Sequence, residues 1–145
     1  MELRPFDDSH YALLSLLEEQ DDVWESVGRR LLPEEGNHLF AITEGSVALG
    51  IGGLVKSQVL DGKDFEVVCA LRSEAQAQGL ALRASQLLLA WAFDTAKLDR
   101  VIACVDDDNE AGRSIALKIG MRELCPLPPG RTVYVKDRRA AAVPR

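Results

Sequence analysis

The spacing of apolar residues changes period along this chain, and each change marks an element. Met1 to Phe6 reads as a short strand, stopped near Pro5. Tyr11, Leu14 and Leu17 then recur at helical spacing behind Asp8 or Ser9, either of which can cap that helix. A second helix runs through Val23, Trp24, Val27 and Leu31, capped by Asp22 and closed by Pro33. After the turn EEGN the period falls to that of strands. HLFAITEG and SVALGIGGLVKSQV predict a hairpin about Glu44-Gly45, with Gly52-Gly53 marking a bulge or a close backbone contact. The turn DGKD leads into FEVVCAL, Phe65 to Leu71, a nearly continuous apolar run expected of a central strand.

From Leu80 the helical period returns. Ala84, Leu87, Leu88, Trp91 and Thr95 trace one face, and Leu89, Ala90 and Phe93 widen it, which predicts a well-buried helix. RVIACV, Arg100 to Val105, is a further apolar strand, so strand, helix and strand form a parallel pair with a right-handed crossover. Ala111, Ile115 and Ile119, spaced by four behind DDDN, predict a short helix with Gly120 as its C-terminal cap. MRELCPL and TVYVKD close the chain as strands around the turn PPGR. The tail from about residue 137 to 145 reads as frayed. The order β-α-α-β-β-β-α-β-α-β-β describes an α+β fold with a mixed sheet, in a single domain over residues 1–145.

Composition narrows the class. At 145 residues and 47% hydrophobic the chain has enough material for one core, and no apolar run reaches membrane-spanning length. The start MELRPFDDSH has no apolar stretch behind its arginine, which places the protein in the cytoplasm as an expectation. Cys69, Cys104 and Cys125 stand alone, so reduced thiols are expected. His10 and His38 lie without ligand spacing, and no metal is expected. The net charge of −6 is uneven: residues 1–66 hold 14 acids and 5 bases, residues 67–145 hold 9 and 12. An acidic first half attracts cations and a mildly basic second half tolerates a polyphosphate, or both are simply solvated surfaces. A sequence pI near 4.9, with no basic stripe, argues against nucleic acid.

One glycine carries the chemical question. Gly79 stands where a polar loop becomes the long helix. A helix N-terminus presents unpaired N–H groups and partial positive charge, so a phosphate binds there without basic side chains. Gly79 then lets the backbone approach, with Ala77 and Ala81 keeping the cradle open; alternatively it only permits the turn. A Walker loop and a Rossmann fingerprint are both absent.

The string Gln76-Ala77-Gln78-Gly79-Leu80-Ala81 resembles the acetyl-CoA pyrophosphate loop of the GNAT superfamily of N-acetyltransferases, [QR]xxGx[GA]. Asn109, followed by Lys118-Ile119-Gly120-Met121, resembles the Asn…Lys-hydrophobic-Gly-Phe segment of that superfamily. The spacing and the segment WAF are similar to the branch acetylating ribosomal-protein N-termini, although Arg83 stands where that branch often has glutamate. The resemblance implies a mixed, mostly antiparallel sheet with helices on both faces. It implies acetyl-CoA as acyl donor and an amine acceptor, either a peptide N-terminus or a cationic small molecule, attacking directly in a ternary complex. A homodimer is compatible with it; a membrane or nucleic-acid partner is not expected.

Site residues follow from the same resemblance. Cys69, Ala70 and Leu71 match the strand whose backbone pairs with pantetheine where two parallel strands splay, and an N–H near Ala70 would stabilise the oxyanion. Gln76, Ala77, Gln78, Gly79, Leu80, Ala81 and Leu82 match the pyrophosphate loop. Asn109 matches the asparagine that bonds the pantetheine arm, and is equally suited to cap a helix. Glu66, the sole charge in FEVVCAL, is the candidate base, or else the exposed start of the strand. Asp106, Asp107 and Asp108 are second-choice bases or a solvated loop. The tyrosine that many members place seven residues after the asparagine is Ala116, leaving Ser114 and Tyr134 as hydroxyl candidates for the general acid. Cys69 and Cys104 are expected near the thioester, as core residues. The rival reading is an acyl-CoA-binding sensor or a catalytically silent subunit.

Overall fold

In the computed structural model, which describes residues 1–13, 36–76 and 79–138, seven strands form one sheet. They are β1 (Glu2–Pro5), β2 (His38–Glu44), β3 (Val47–Ser57), β4 (Asp64–Leu71), β5 (Arg100–Asp106), β6 (Arg122–Leu127) and β7 (Arg131–Asp137). The spatial order is β1-β2-β3-β4-β5-β7-β6, with β4 and β5 parallel and every other pair antiparallel. This is the mixed sheet that the residue pattern predicts, and mostly antiparallel as the resemblance implies.

The β2–β3 hairpin turns at Gly45, whose φ of 60° lies in the left-handed region. Its bulge falls between Ile42 and Thr43, away from Gly52-Gly53. Those glycines are instead close backbone contacts: a Cβ on Gly53 would meet the His38 carbonyl oxygen, and one on Gly52 would lie 2.9 Å from Leu88 Cδ1. A Cβ on the neighbouring Gly50 would strike the Ala70 carbonyl oxygen. Neighbouring strands and the Leu88 side chain therefore approach the backbone of Gly50, Gly52 and Gly53 closely.

Alternation along β4 assigns the two faces of the sheet. Phe65, Val67 and Cys69 pack against α1 (Leu80–Ala90) and α2 (Glu110–Lys118), in a core with Leu88, Leu89, Ala92, Ala116 and Ile119. Val68 and Ala70 turn to the opposite face, where Leu13, Ile51 and Val55 meet them. Leu88 is wholly buried, so Leu88→Ala would cost about 2–5 kcal/mol. Past Ala90 the first of these helices widens into a π turn, Trp91–Thr95. There the Trp91 ring meets Phe40 edge-on at 4.9 Å and His38 at 5.0 Å.

Two boundaries differ from expectation. The cap of the first helical turn is Asp7, one or two residues before Asp8 and Ser9: its Oδ1 accepts from the Ser9 N–H at 2.9 Å, and Asp8–His10 is a 3₁₀ turn. β7 runs through Asp137, and the Arg138 N–H donates to the Asp99 carbonyl at 2.9 Å. The helix capped by Asp22 and the first helix beyond Leu13 lie outside the described residues, as do residues 139–145.

Candidate active site

β4 is held to β3 through eight residue pairs, Gly50↔Leu71 to Ser57↔Asp64. β5 is held to β7 through seven, Arg100↔Asp137 to Asp106↔Arg131. Between β4 and β5 the ladder consists of two pairs alone, Phe65↔Val101 and Glu66↔Ile102. Beyond them the strands part, although each continues for several residues. From Val67 onward the β5-facing edge of β4 has no strand beside it among the described residues, and backbone amides seek partners wherever they are enclosed. Cys69, Ala70 and Leu71 lie along that edge.

Glu66 occupies the last pair before the strands part, and it is 3% exposed. It is not the exposed start of the strand: β4 begins at Asp64, two residues earlier, and Asp64 is itself buried. Arg100, opposite Asp64, closes on it with a forked contact: Nε donates to Oδ1 at 2.7 Å and Nη2 to Oδ2 at 2.9 Å. That fork, with the negative charges of Asp61 and Asp137 nearby, holds the Arg100 guanidinium above its ordinary pKa. The pair joins residues 36 positions apart in sequence, and the pattern of apolar residues gave no sign of it.

The cysteines separate. Cys69 faces the helices, while Cys104 packs with Ile102, Val133 and Val135 on the other side of the sheet. Glu66 and Ile102 are paired, so Cys69 lies three residues from one partner and Cys104 two from the other; the difference in parity puts them on opposite faces. The two thiols do not meet near one point. Part of Cys69 reaches the surface, yet its thiol is enclosed, and burial pushes it up to about 12. Such a thiol stays protonated and inert.

Gly79 precedes α1 with φ 69° and ψ 10°, a left-handed conformation, and no side chain caps the helix behind it. Among the described residues a Cβ added there would meet nothing within 4 Å, so the glycine serves its φ. Leu80, Ala81 and Leu82 form the first turn of α1, partly buried against the sheet. Gln76 ends a short helical turn, Ser73–Gln76, while Ala77 and Gln78 lie outside the described residues. Upstream, the Arg72 N–H donates to the Leu49 carbonyl at 2.8 Å, fixing the loop's entry to the β3 bulge region. Arg83 is exposed, with Nη1 3.8 Å from Glu44 Oε1.

Asn109 caps α2: its Oδ1 accepts the Gly112 N–H at 2.9 Å. Gly112 permits this closeness, since a Cβ there would stand 2.6 Å from Asn109 Nδ2. Ala116 faces inward and is 3% exposed. Ser114, half-buried, lies two residues away and thus about 200° around the helix, off the face that meets the sheet. Tyr134 is buried beneath α2 with its hydroxyl against Arg113, whose guanidinium it helps keep protonated; Glu123 of β6 and Asp107 are the other charges near Arg113. That contact engages the tyrosine hydroxyl with α2. Asp106, Asp107 and Asp108 are exposed, and Asp107 Oδ1 accepts from Thr132 Oγ1 at 2.7 Å. Among the described residues no group of three or more His, Cys, Asp or Glu is placed to hold a metal, and no helix is long and apolar enough to cross a membrane.

Comparison with known proteins converges on one family. No curated protein matches by sequence. An acetyltransferase from Agrobacterium tumefaciens is similar in structure, with a TM-score of 0.70 at 21% identity over 92% of this chain and 88% of that one. A GNAT-family acetyltransferase from Bacillus anthracis gives 0.71 at 17% identity, over 94% of each chain. The dodecameric spermidine N-acetyltransferase from Vibrio cholerae gives 0.76 at 13% identity, over 97% of this chain and 95% of that one. These likenesses establish the fold. The family model described as an acetyltransferase (GNAT) domain matches residues 1–122. With most of its length matched and the parted parallel strands at its centre, the chain belongs to the GNAT family of acetyltransferases and is an N-acetyltransferase.

Proposed function

We infer that the protein moves the acetyl group of acetyl-CoA to a primary amine by direct attack in a ternary complex. The observation that carries this reading is the two-pair ladder between β4 and β5, which leaves a gap bordered by backbone amides. The pantetheine arm pairs with Cys69, Ala70 and Leu71 in place of a strand. Its pyrophosphate lies against the Gln76–Leu82 segment, where α1 starts behind the left-handed Gly79 with no side-chain cap among the described residues. Asn109 already spends its carbonyl oxygen on Gly112, so toward the arm it offers its amide nitrogen.

The acceptor arrives as an ammonium with a pKa near ~10 and must lose a proton before it can attack. Glu66, at the apex of the gap, takes that proton. The amine lone pair forms a C–N bond to the thioester carbonyl carbon, and the oxyanion is met by the N–H near Ala70. The C–S bond then breaks, the acetamide forms, and the amine's second proton balances the departing thiolate. A thiol pKa near ~8.5 makes that departure tolerable without a strong acid. Solvent suffices to relay that second proton from the amine nitrogen to the thiolate, with Ser114 contributing little from its place on α2.

A cationic acceptor fits the acidic first half of the chain, and the acetylation of spermidine by a protein of this fold makes polyamines the first panel to try. The test is release of free thiol from acetyl-CoA with polyamines, aminoglycosides and free peptide N-termini. Turnover with any of them supports transfer. Saturable acetyl-CoA binding without turnover would favour the sensor reading, which the inward-facing Ala116 keeps in play. Glu66→Gln should lower the rate about 100-fold and flatten its rise with pH; an unchanged profile would exclude it as the base.

A further inference from the structure

The parting of β4 and β5 needs something to hold their lower ends together while the upper ends open. Two backbone pairs are a short hinge, and the larger ladders on either side make β1–β4 and β5–β7–β6 two stiff plates. Continuing the register of the hinge downward by one residue, Phe65↔Val101 is followed by Asp64 and Arg100. These two side chains join across the strands through both oxygens of the carboxylate, at 2.7 and 2.9 Å. Asp64 is 6% exposed at its side chain and Arg100 36%, so the contact is shielded on the carboxylate side and solvated on the other. A fork resists rotation as well as separation, which a single point contact does not.

We propose that the Asp64–Arg100 pair is a positioning clamp that sets the width of the gap between β4 and β5, and through it the length of acyl chain the enzyme accepts. This rests on the reading of the gap as the acyl-CoA site. The lever is short on one side of Glu66 and long on the other. Asp64 lies two residues below it, roughly 7 Å, and Ala70 four residues above, roughly 13 Å. A displacement at the clamp is therefore about doubled where the acyl group lies, and a fit differing by one methylene changes recognition measurably. The charges serve the geometry: Asp64 and Arg100 face the same side of the sheet as Glu66, but neither touches the reacting atoms.

The test uses the full-length protein and two probes, acetyl-CoA and butyryl-CoA, with dissociation constants measured by calorimetry. The wild type should prefer acetyl-CoA. Arg100→Gln lets the lower ends separate, so the upper ends close about the hinge and the preference for acetyl-CoA over butyryl-CoA, the ratio of the two constants, should rise at least fivefold. Arg100→Lys, which keeps charge but not the fork, should raise it by less. A ratio is independent of the fraction folded, so mere destabilisation leaves it unmoved. Since Arg100→Gln strands a buried carboxylate, the double variant Asp64→Asn with Arg100→Gln provides the same loosening without that charge. Amide hydrogen exchange at residues 65–67 and 101–103 should accelerate at least tenfold in each variant, while the β3 amides stay protected. A ratio unchanged within twofold, or exchange unchanged at the hinge, overturns the clamp. Failure of the wild type to bind either probe would instead overturn the acyl-CoA reading; accelerated exchange would then uphold the clamp's hold on the strands and overturn its role in acyl selection.

Discussion

The two long helices on the same face of the sheet begin in opposite ways. α2 is closed by its own Asn109, whose side chain satisfies the Gly112 N–H. Among the described residues α1 has no side-chain cap, a left-handed Gly79 precedes it, and a Cβ there would meet nothing within 4 Å. A helix without a side-chain cap forgoes roughly 1 kcal/mol of stabilisation. In the proposed acetyl transfer the two helix starts have different duties: α2 is closed by its own Asn109, and α1 offers its positive end to the pyrophosphate.

The comparison breaks first at Gly79. Gly79→Val forces a β-branched side chain into φ 69°, which costs about 1–2 kcal/mol and projects bulk toward the proposed pyrophosphate. Acetyl-CoA affinity should fall about tenfold or more, read by calorimetry, with a further loss of thermal stability. Gly79→Asn, which tolerates the left-handed region, should recover most of the stability but not the affinity. Equal recovery of both would mean that Gly79 matters only as a turn. Next, Asn109→Ala should cost about 1 kcal/mol through loss of the α2 cap. Asn109→Asp retains a capping oxygen, so it should restore the melting temperature. If donor affinity returns with it, Asn109 is a cap and nothing more; if affinity stays low, its amide nitrogen also serves the pantetheine arm. Smallest of all, Ser114→Ala should change the rate by less than about twofold, because that position faces neither the sheet nor the gap. A tenfold loss would return the hydroxyl to the mechanism.

Much of this difference is local and therefore readable in the chain. Gly79 before an apolar helical face, and Asn109 three residues ahead of Gly112, are short-range signals, as are the two-residue period of β2 and β3 and the continuous apolar runs of β4 and β5. The element order and the loop follow from them. What the chain conceals depends on register. That Cys69 and Cys104 occupy opposite faces follows only once Glu66 is known to pair with Ile102. The resemblance implies that β4 and β5 part, but that their ladder stops after two pairs is a property of how two plates pack, and no residue in FEVVCAL or RVIACV announces the number. Glu66 could equally have been the solvated start of a strand; three-dimensional neighbours bury it. Asp64 and Arg100 each look like ordinary polar punctuation where a strand begins, and their partnership appears only when those two beginnings are set side by side. The cap at Asp7 was hidden for a simpler reason: Asp7, Asp8 and Ser9 are all good caps, and geometry chooses among equals.

The β3 glycines have a consequence for how this protein can change. At Gly50 and Gly53 the place a methyl group would take is occupied by a neighbouring strand's carbonyl oxygen, which cannot rotate aside as a side chain can. At these two positions no small step is available, since even alanine demands that a neighbouring strand move. Variation along β3 is channelled to its exposed positions, Val47 and Lys56. In a library of random variants the two glycines should remain nearly silent while their neighbours diversify, fixed points beside which the rest of the strand is free to drift.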